Sequence, residues 1–504
     1  MTLSTKLSHN ARLAIAIYFV SLVAYAAASN TRIRGHSPDG DHYIWQAWSW
    51  LQGRLDLGRP PPHGNDWAQV EHLTLADGRQ LRGAMVQGSR ETFRTLKGEI
   101  VQVPAAQVTR RETQYYVSFP PFPAVLMLPM VAIAGLNSND AVFTVVLAGL
   151  GPALFFLLLR RLRERGDSER SESDDLWLTA VLGVGSVYYY SSVLGQVWYT
   201  THVVGVIMGV LYCLASLDAR RPVLAGLALV CGFLSRPEIL FAAPLFVWEA
   251  VWRHSRSSQA EDETARALAT EIERLATERE RLPALAELRA WLRLQRLRLR
   301  LTWHRLDRPA LVRTLVLFAV PVALLGFGAG ALNYARFGKL TEFGHTYLNV
   351  RWTPRIQRFG LFNYVFLGRN LACLLALVPR IVRGAPWVQV SWHGLAIWVT
   401  TPVILWVLWP RVKGRLHLPL WVTTACVALP DLFYQNSGWV HFGYRFALDY
   451  LVFLLCLLAI GGRRFGFWFK LLVIVGVGVN LFGAFTFGRA QMFYFDSLFP
   501  PGID

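Results

Sequence analysis

The chain has 504 residues, 53% of them hydrophobic, and carries 51 Lys and Arg against 33 Asp and Glu for a formal net charge of +18. Its mean hydropathy is positive at +0.32, and its apolar residues are bunched into runs of roughly 16 to 22, the length that crosses hydrocarbon. That excludes a soluble chain of two or three cores, and the basic excess points away from nucleic acid, because Lys and Arg cluster in short segments beside apolar runs, as orientation signals and anionic-lipid contacts do.

The first apolar run, Leu13 to Ala28, follows Lys6 and Arg12 and contains Ala24-Tyr25-Ala26. This resembles a signal peptide, but with many later spans it reads as a retained first helix. Ser37-Pro38-Asp39-Gly40-Asp41-His42-Tyr43 comes next and opens a long loop, 30–139. Asp39 and Asp41 are either a water-facing cap or an acid/base pair at the lipid boundary. Tyr43 to Leu51, with Trp45, Trp48 and Trp50, predicts an amphipathic helix in the interface, ended by Gly53. Between about 69 and 113 the loop is rich in Thr, Val, Gly and Gln, and Thr74 to Arg79 reads as a tight turn between short strands of a small β decoration.

The segment 117–135 is apolar enough to span, yet Pro120, Pro121, Pro123 and Pro129 interrupt its backbone ladder. Parity argues against a span. If it crossed, the arginines of 160–165, of the 253–310 insert, of 411–415 and of 463–464 would all face outward; if it lies in the interface, all are cytoplasmic. Further spans are expected near 140–159, 176–193, 201–217, 222–236, 238–253, 311–333, 394–410, 416–434, 444–461 and 468–487. The expected fold is an all-α polytopic membrane protein of about eleven helices, N-terminus cytoplasmic, in two membrane modules, 1–253 and 311–504. Regions 30–116, 334–393 and 434–445 then lie outside.

The insert 254–310 shows helical spacing over 261–281 and 284–303, broken at Pro283. It predicts a charged helical hairpin, packed on itself or binding lipid headgroups or a partner through its basic second half. The five cysteines all fall in apolar runs and read as small buried hydrophobes. No metal-ligand spacing appears, and no cofactor is expected.

The outer loops carry arginines beside aromatics: Arg336, Arg351, Arg355, Arg369 and Arg445. A carboxylate facing arginines at a membrane surface suits one chemistry well. The carboxylate takes a proton from an acceptor hydroxyl, and the arginines stabilise a leaving phosphate. With no Gly-rich nucleotide loop, that phosphate would belong to a lipid. Bland alternatives stand beside this. Arg236 and Glu238 read as a mutual pair around Pro237, and Arg445 and Asp449 as an i,i+4 pair.

Several motifs then resemble one family, the GT-C superfamily of integral-membrane glycosyltransferases. Asp39-x-x-x-Tyr43 followed by Leu51-x-Gly53 resembles the motif after the first helix in protein mannosyltransferases and aminoarabinose transferases. Tyr116 to Pro123 resembles their Pro-Pro element, and Phe233-Leu-Ser-Arg236-Pro237-Glu238 their basic position after a short span. Asn333 to Gly338, running on to His345, and Gln435 to Arg445 resemble bacterial members. The resemblance implies an inverting transfer from a polyprenyl-phosphate sugar to an envelope glycan, lipid or protein, in a bacterial inner membrane. It implies Asp39 as base with Asp41 as runner-up, and Arg236, Arg336 and Arg445 as donor-phosphate ligands. His42, Tyr43, His202 and His441 would line the substrate site. Where some relatives have a second acidic residue, Gly195 to His202 offers only His202, which leaves metal dependence and any second acid/base group open. His202, His345 and His441 read as interfacial hydrogen-bonding groups rather than a metal triad. A lipid or lipid-linked sugar flippase, and a membrane scaffold acting through the hairpin, are the other classes the sequence allows.

Overall fold

The structure, a computed structural model, describes residues 8–35, 40–64, 66–86, 88–256, 263–279, 284–348, 350 and 352–497. Helix dominates: α1 (His9–Ser29), α2 (His42–Leu51), α3 (Phe122–Ala134), α4 (Asp140–Ala148), α5 (Leu150–Glu164), α6 (Glu172–Gly183), α7 (Tyr188–Ser192), α8 (Val197–Ser216), α9 (Pro222–Phe233) and α10 (Ala243–Arg256). There follow α11 (Glu263–Arg279), α12 (Ala284–His304), α13 (Arg308–Phe337), α14 (Thr353–Phe359), α15 (Leu367–Leu375), α16 (Ile397–Thr400), α17 (His417–Phe433), α18 (Leu448–Ile460) and α19 (Phe467–Thr486).

Among the described residues, five helical stretches are long and apolar enough to cross a membrane: His9–Ile33, Asp140–Glu164, Val197–Ala219, Arg308–Phe337 and Phe467–Thr486. Their surfaces need apolar surroundings. Val20 and Val23 on α1 are 70% and 66% exposed, and Leu324 and Phe327 on α13 are 68% and 74% exposed. By contrast every residue of α18 is buried, so that helix forms the centre of the body. Close packing of α9 on α13 depends on Gly226, where a Cβ would fall 2.1 Å from the Phe318 carbonyl oxygen.

The helical body has two chemically distinct ends. At one, arginines of separate segments assemble with carboxylates: Arg165 meets Asp167, Asp218 and Glu249 at 3.2, 3.3 and 2.9 Å. Arg415 meets Asp167 and Glu249 at 3.0 and 2.9 Å. Arg463 caps the Trp409 carbonyl there, and the hairpin of α11 and α12, tied by Arg293 to Glu271 at 2.7 Å, leaves from the same end. The other end carries the long loop and the sheet.

Several expected spans take a different form. The stretch 394–410 runs from His441 at one end to Gly461 at the other, but as the single turn of α16 and a 3-10 segment, Pro402–Leu408. Thr400, Thr401 and Pro402 explain the break, since Pro402 has no N–H and disfavours helix at the residue before it. The stretch 176–193 is likewise split between α6 and α7 by a gap containing Gly185. In the 117–135 segment the helix is only the 13 residues of α3, and both its flanks are fastened at the same end of the body. The Phe122 N–H bonds the Leu234 carbonyl, and Asn139 bonds that of Arg32.

The β decoration is a five-stranded antiparallel sheet, in the order β4-β3-β2-β1-β5, from β1 (Trp67–Leu75), β2 (Gln80–Met85), β3 (Thr92–Thr95), β4 (Ile100–Gln102) and β5 (Val108–Val117). Thr74 pairs with Gln80 across the first hairpin. Its turn uses Gly78 at φ +84° and an Asp77 carboxylate that accepts the Arg79 N–H at 3.0 Å. The sheet docks on the end of α13, where Phe337 joins Ala68, Val70, Leu96 and Tyr116 in one apolar cluster. All five cysteines are free thiols.

Candidate functional site

A cavity of about 730 Å³ lies at the sheet-bearing end. It is assembled from segments far apart in sequence: the first turns of α8, the turn after α9, the loop after α13, the chain after α17 and the residues just before α18. Three of the expected site residues, His202, Arg236 and Arg445, line it, as do Glu238 and His345.

Arg445 precedes α18 in a 3-10 turn, Arg445–Ala447. Its Nη1 donates to the carbonyls of Gly438 and Val440 at 2.7 and 2.8 Å, and its guanidinium lies over the rings of Tyr199 and Phe446 at 5.2 and 5.6 Å. It does not pair with Asp449 one turn on, because the 3-10 turn takes Arg445 out of α-helical register with α18. Among the described residues no carboxylate forms an ion pair with it. Arg445 thus stands on the cavity wall outside any direct ion pair among the described residues, near enough to Asp66 for the two charges to interact.

Arg236 is the opposite case. It pairs with Asp449, Asp431 and Glu238, its Nη2 lying 2.6, 3.4 and 3.4 Å from one oxygen of each. The expected Arg236–Glu238 pair is thus one part of a larger cluster. Oxygens of the three carboxylates lie within 4.8 Å of one another, a spacing that suits a cation. The guanidinium of Arg236 supplies that positive charge. His202 joins the cluster through Nδ1, 3.2 Å from Asp449 Oδ1. The Phe446 ring is common to the group, with Arg236 at 5.0 Å and the His202 ring at 5.8 Å.

Four other expected site residues are elsewhere. Asp41 is buried at the start of α2, where its oxygens accept the Trp45 indole N–H at 3.1 Å and face His63 Nε2 at 3.4 Å. His42 stacks on Trp67 at 3.9 Å, and Tyr43 packs with Ala124 and Met127 of α3. These three join α2 to the sheet and to α3 and are not on the cavity wall. His441 is a packing residue, its ring so enclosed that a Cβ on Gly394 or Gly438 would approach within 2.7 or 2.6 Å. Asp39 lies outside the described residues.

Arg336 also departs from expectation. It is buried at the end of α13, donating to the Val117 carbonyl at 2.9 Å and to Asn333 Oδ1 at 2.7 Å, while its own carbonyl accepts from Arg82. It clamps the sheet to the helix, away from the cavity wall, because the motif that carries it leads straight into the sheet's docking site.

Asp66 was not singled out in the sequence, yet it lines the cavity. It sits just before β1 at φ +57°, in the left-handed region Asp tolerates, and Oδ2 accepts the Trp198 indole N–H at 2.9 Å. Burial raises its carboxyl above the ordinary range, against the lowering effects of that bond and of Arg445 and His63 nearby. Such a carboxylate can take a proton. Asp431 and Glu342 were missed too; Glu342 lines the cavity but spends its oxygens on the Gly344 N–H and the Thr346 hydroxyl. The aromatic walls, Trp198, Trp352, Trp392 and Trp439 among them, offer stacking faces for a ring. No protein-family model, curated protein or solved structure matches the chain.

Proposed function

We propose that the chain is a membrane glycosyltransferase of GT-C type, moving a sugar from a polyprenyl-phosphate donor to an acceptor on the extracytoplasmic face of a bacterial inner membrane, with inversion. The observation that carries this reading is the pairing, on one cavity wall system, of Arg445 without a carboxylate partner and Asp66 with a raised carboxyl. Arg445 holds the donor phosphate by charge-assisted hydrogen bonds. Asp66, the first-loop carboxylate that lines the cavity among the described residues, takes the acceptor proton. The exposed apolar surface of α13 supports a lipid-embedded donor, and eleven passes, N-terminus inside, put the arginines of 160–165, 253–310, 411–415 and 463–464 on the cytoplasmic side.

One observation favours a second reading, transport of a lipid-linked sugar. Glu238, Arg236, Asp431, Asp449 and His202 form a buried ionisable cluster drawn from several helical segments, as in transporters. The two readings share a lipid-phosphate site. Its test is binding of polyprenyl phosphate to the purified protein, which should weaken at least tenfold in Arg445→Ala and stay unchanged in Arg336→Ala. Equal affinity in Arg445→Ala and the native protein would remove the site.

A further inference from the structure

His202 lies in the second turn of α8 and lines the cavity. Its Nδ1 faces Asp449 Oδ1, and Asp449 is itself held by hydrogen bonds from Arg236 Nε and Nη2. A carboxylate held by a guanidinium is a fixed acceptor, so Nδ1 carries a hydrogen and Nε2 is left as the available ring position. Nε2 is buried and has no hydrogen-bond partner among the described residues. An orphaned buried ring nitrogen in a cavity wall asks for a polar ligand atom. The charged and titratable groups around the ring are Asp449, Arg236 with its other partners Glu238 and Asp431, Arg445 and His441.

We propose that His202 is the proton donor to the departing phosphate and that Asp449 is its positioning residue; this rests on the transfer reaction proposed above. In that reaction the acceptor hydroxyl gives its proton to Asp66 and its oxygen bonds the anomeric carbon. The bond from that carbon to the donor's phosphate oxygen breaks, and its electron pair stays on the oxygen. A phosphodiester with one negative charge thereby becomes a phosphomonoester whose second ionisation falls near pH 6, so its oxygen becomes a proton acceptor as the bond breaks. The proton on Nε2 passes to that oxygen, and the Asp449 carboxylate balances the protonated ring beforehand. Afterwards Asp66 releases its proton to water and His202 takes one up, so the cycle closes.

The test is steady-state transfer by the full-length protein across pH, with a polyprenyl-phosphate sugar as donor. In the native protein kcat should fall on the alkaline side. His202→Gln should lower kcat by about a hundredfold to ten-thousandfold, leave the donor KM little changed, and lose the alkaline limb. Asp449→Asn, whose amide oxygen still accepts from Nδ1 but cannot balance a charged ring, should keep the limb and move it to lower pH. Binding of polyprenyl phosphate by each variant checks that the site is intact. A native profile with no alkaline limb, or a His202→Gln protein that keeps native kcat, overturns the proposal while leaving the transfer reading standing. A His202→Gln protein slowed with its pH profile unchanged shows a structural role and overturns it as well. A native protein that never releases polyprenyl phosphate removes both.

Discussion

Arg236 reaches both oxygens of Asp449, through Nε at 3.1 and 3.0 Å and through Nη2 at 2.6 Å. The two residues are 213 positions apart, and their contact ties the turn after α9 to the first turn of α18. Three buried carboxylates depend on this one guanidinium. Removing one partner of a buried ion pair costs about 3–5 kcal/mol, so Arg236→Ala should lower the thermal midpoint in detergent substantially, with Arg236→Lys between it and the native protein. Asp431→Asn should be neutral or stabilising, since it removes one of the excess negative charges. A native midpoint in Arg236→Ala would contradict the assignment of Arg236 to structure.

Asp66 and Asp41 should behave differently. Asp66→Asn should lose about two to four orders of magnitude in transfer, while Asp41→Asn, off the cavity wall, should retain most of it. Because a base works only when ionised and burial raises the Asp66 carboxyl, kcat/KM should fall as pH drops through a value above the ordinary Asp range of about 3.9. The pH profile of the native protein and Asp66→Asn checks both points.

The apolar runs were legible because lipid demands long hydrophobic stretches of chain, and most of them lie on helices, whereas 394–410 and 176–193 are broken where Pro402 and Gly185 interrupt them. The Thr74–Arg79 turn was legible because Asp-Gly at a hairpin tip has one economical geometry. What the sequence hid was contact between distant segments. Asp449 four residues after Arg445 suggests a local pair, but a 3-10 turn separates them and Asp449 turns to Arg236 and His202. Asp66 carries no motif; the one signal was a carboxylate beside Trp67 after a Pro-rich run. Asp431 had a clearer signal, an ionisable residue in an apolar span.

Arg336 should matter for the sheet rather than for the donor. Arg336→Ala removes the bond to the Val117 carbonyl and the packing beneath Phe337. Limited proteolysis should cut within 67–117 faster in this variant, with donor affinity unchanged. Equal cutting rates would show that the sheet docks without the clamp.

The hairpin insert leaves the body at the arginine-rich end, opposite the cavity. Replacing residues 257–306 by a short flexible linker should therefore leave transfer in detergent within a factor of two or so of native. Complete loss of transfer by a folded deletion variant would assign the hairpin a part in the reaction.

Two exposed positions report the orientation. Glu169 lies at the arginine-rich end and Arg90 in the connection between β2 and β3 of the sheet. In sealed cells Arg90→Cys should react with an impermeant thiol reagent and Glu169→Cys only after permeabilisation. The reverse pattern would invert the topology.

The most direct measurement gives purified protein a polyprenyl-phosphate sugar with candidate hydroxyl acceptors and follows the lipid product. Free polyprenyl phosphate should appear in step with glycosylated acceptor, and its rate should collapse in Arg445→Ala. A protein that binds the lipid and moves it between leaflets of a vesicle, yet never cleaves the sugar–phosphate bond, would contradict the transferase and establish the transporter.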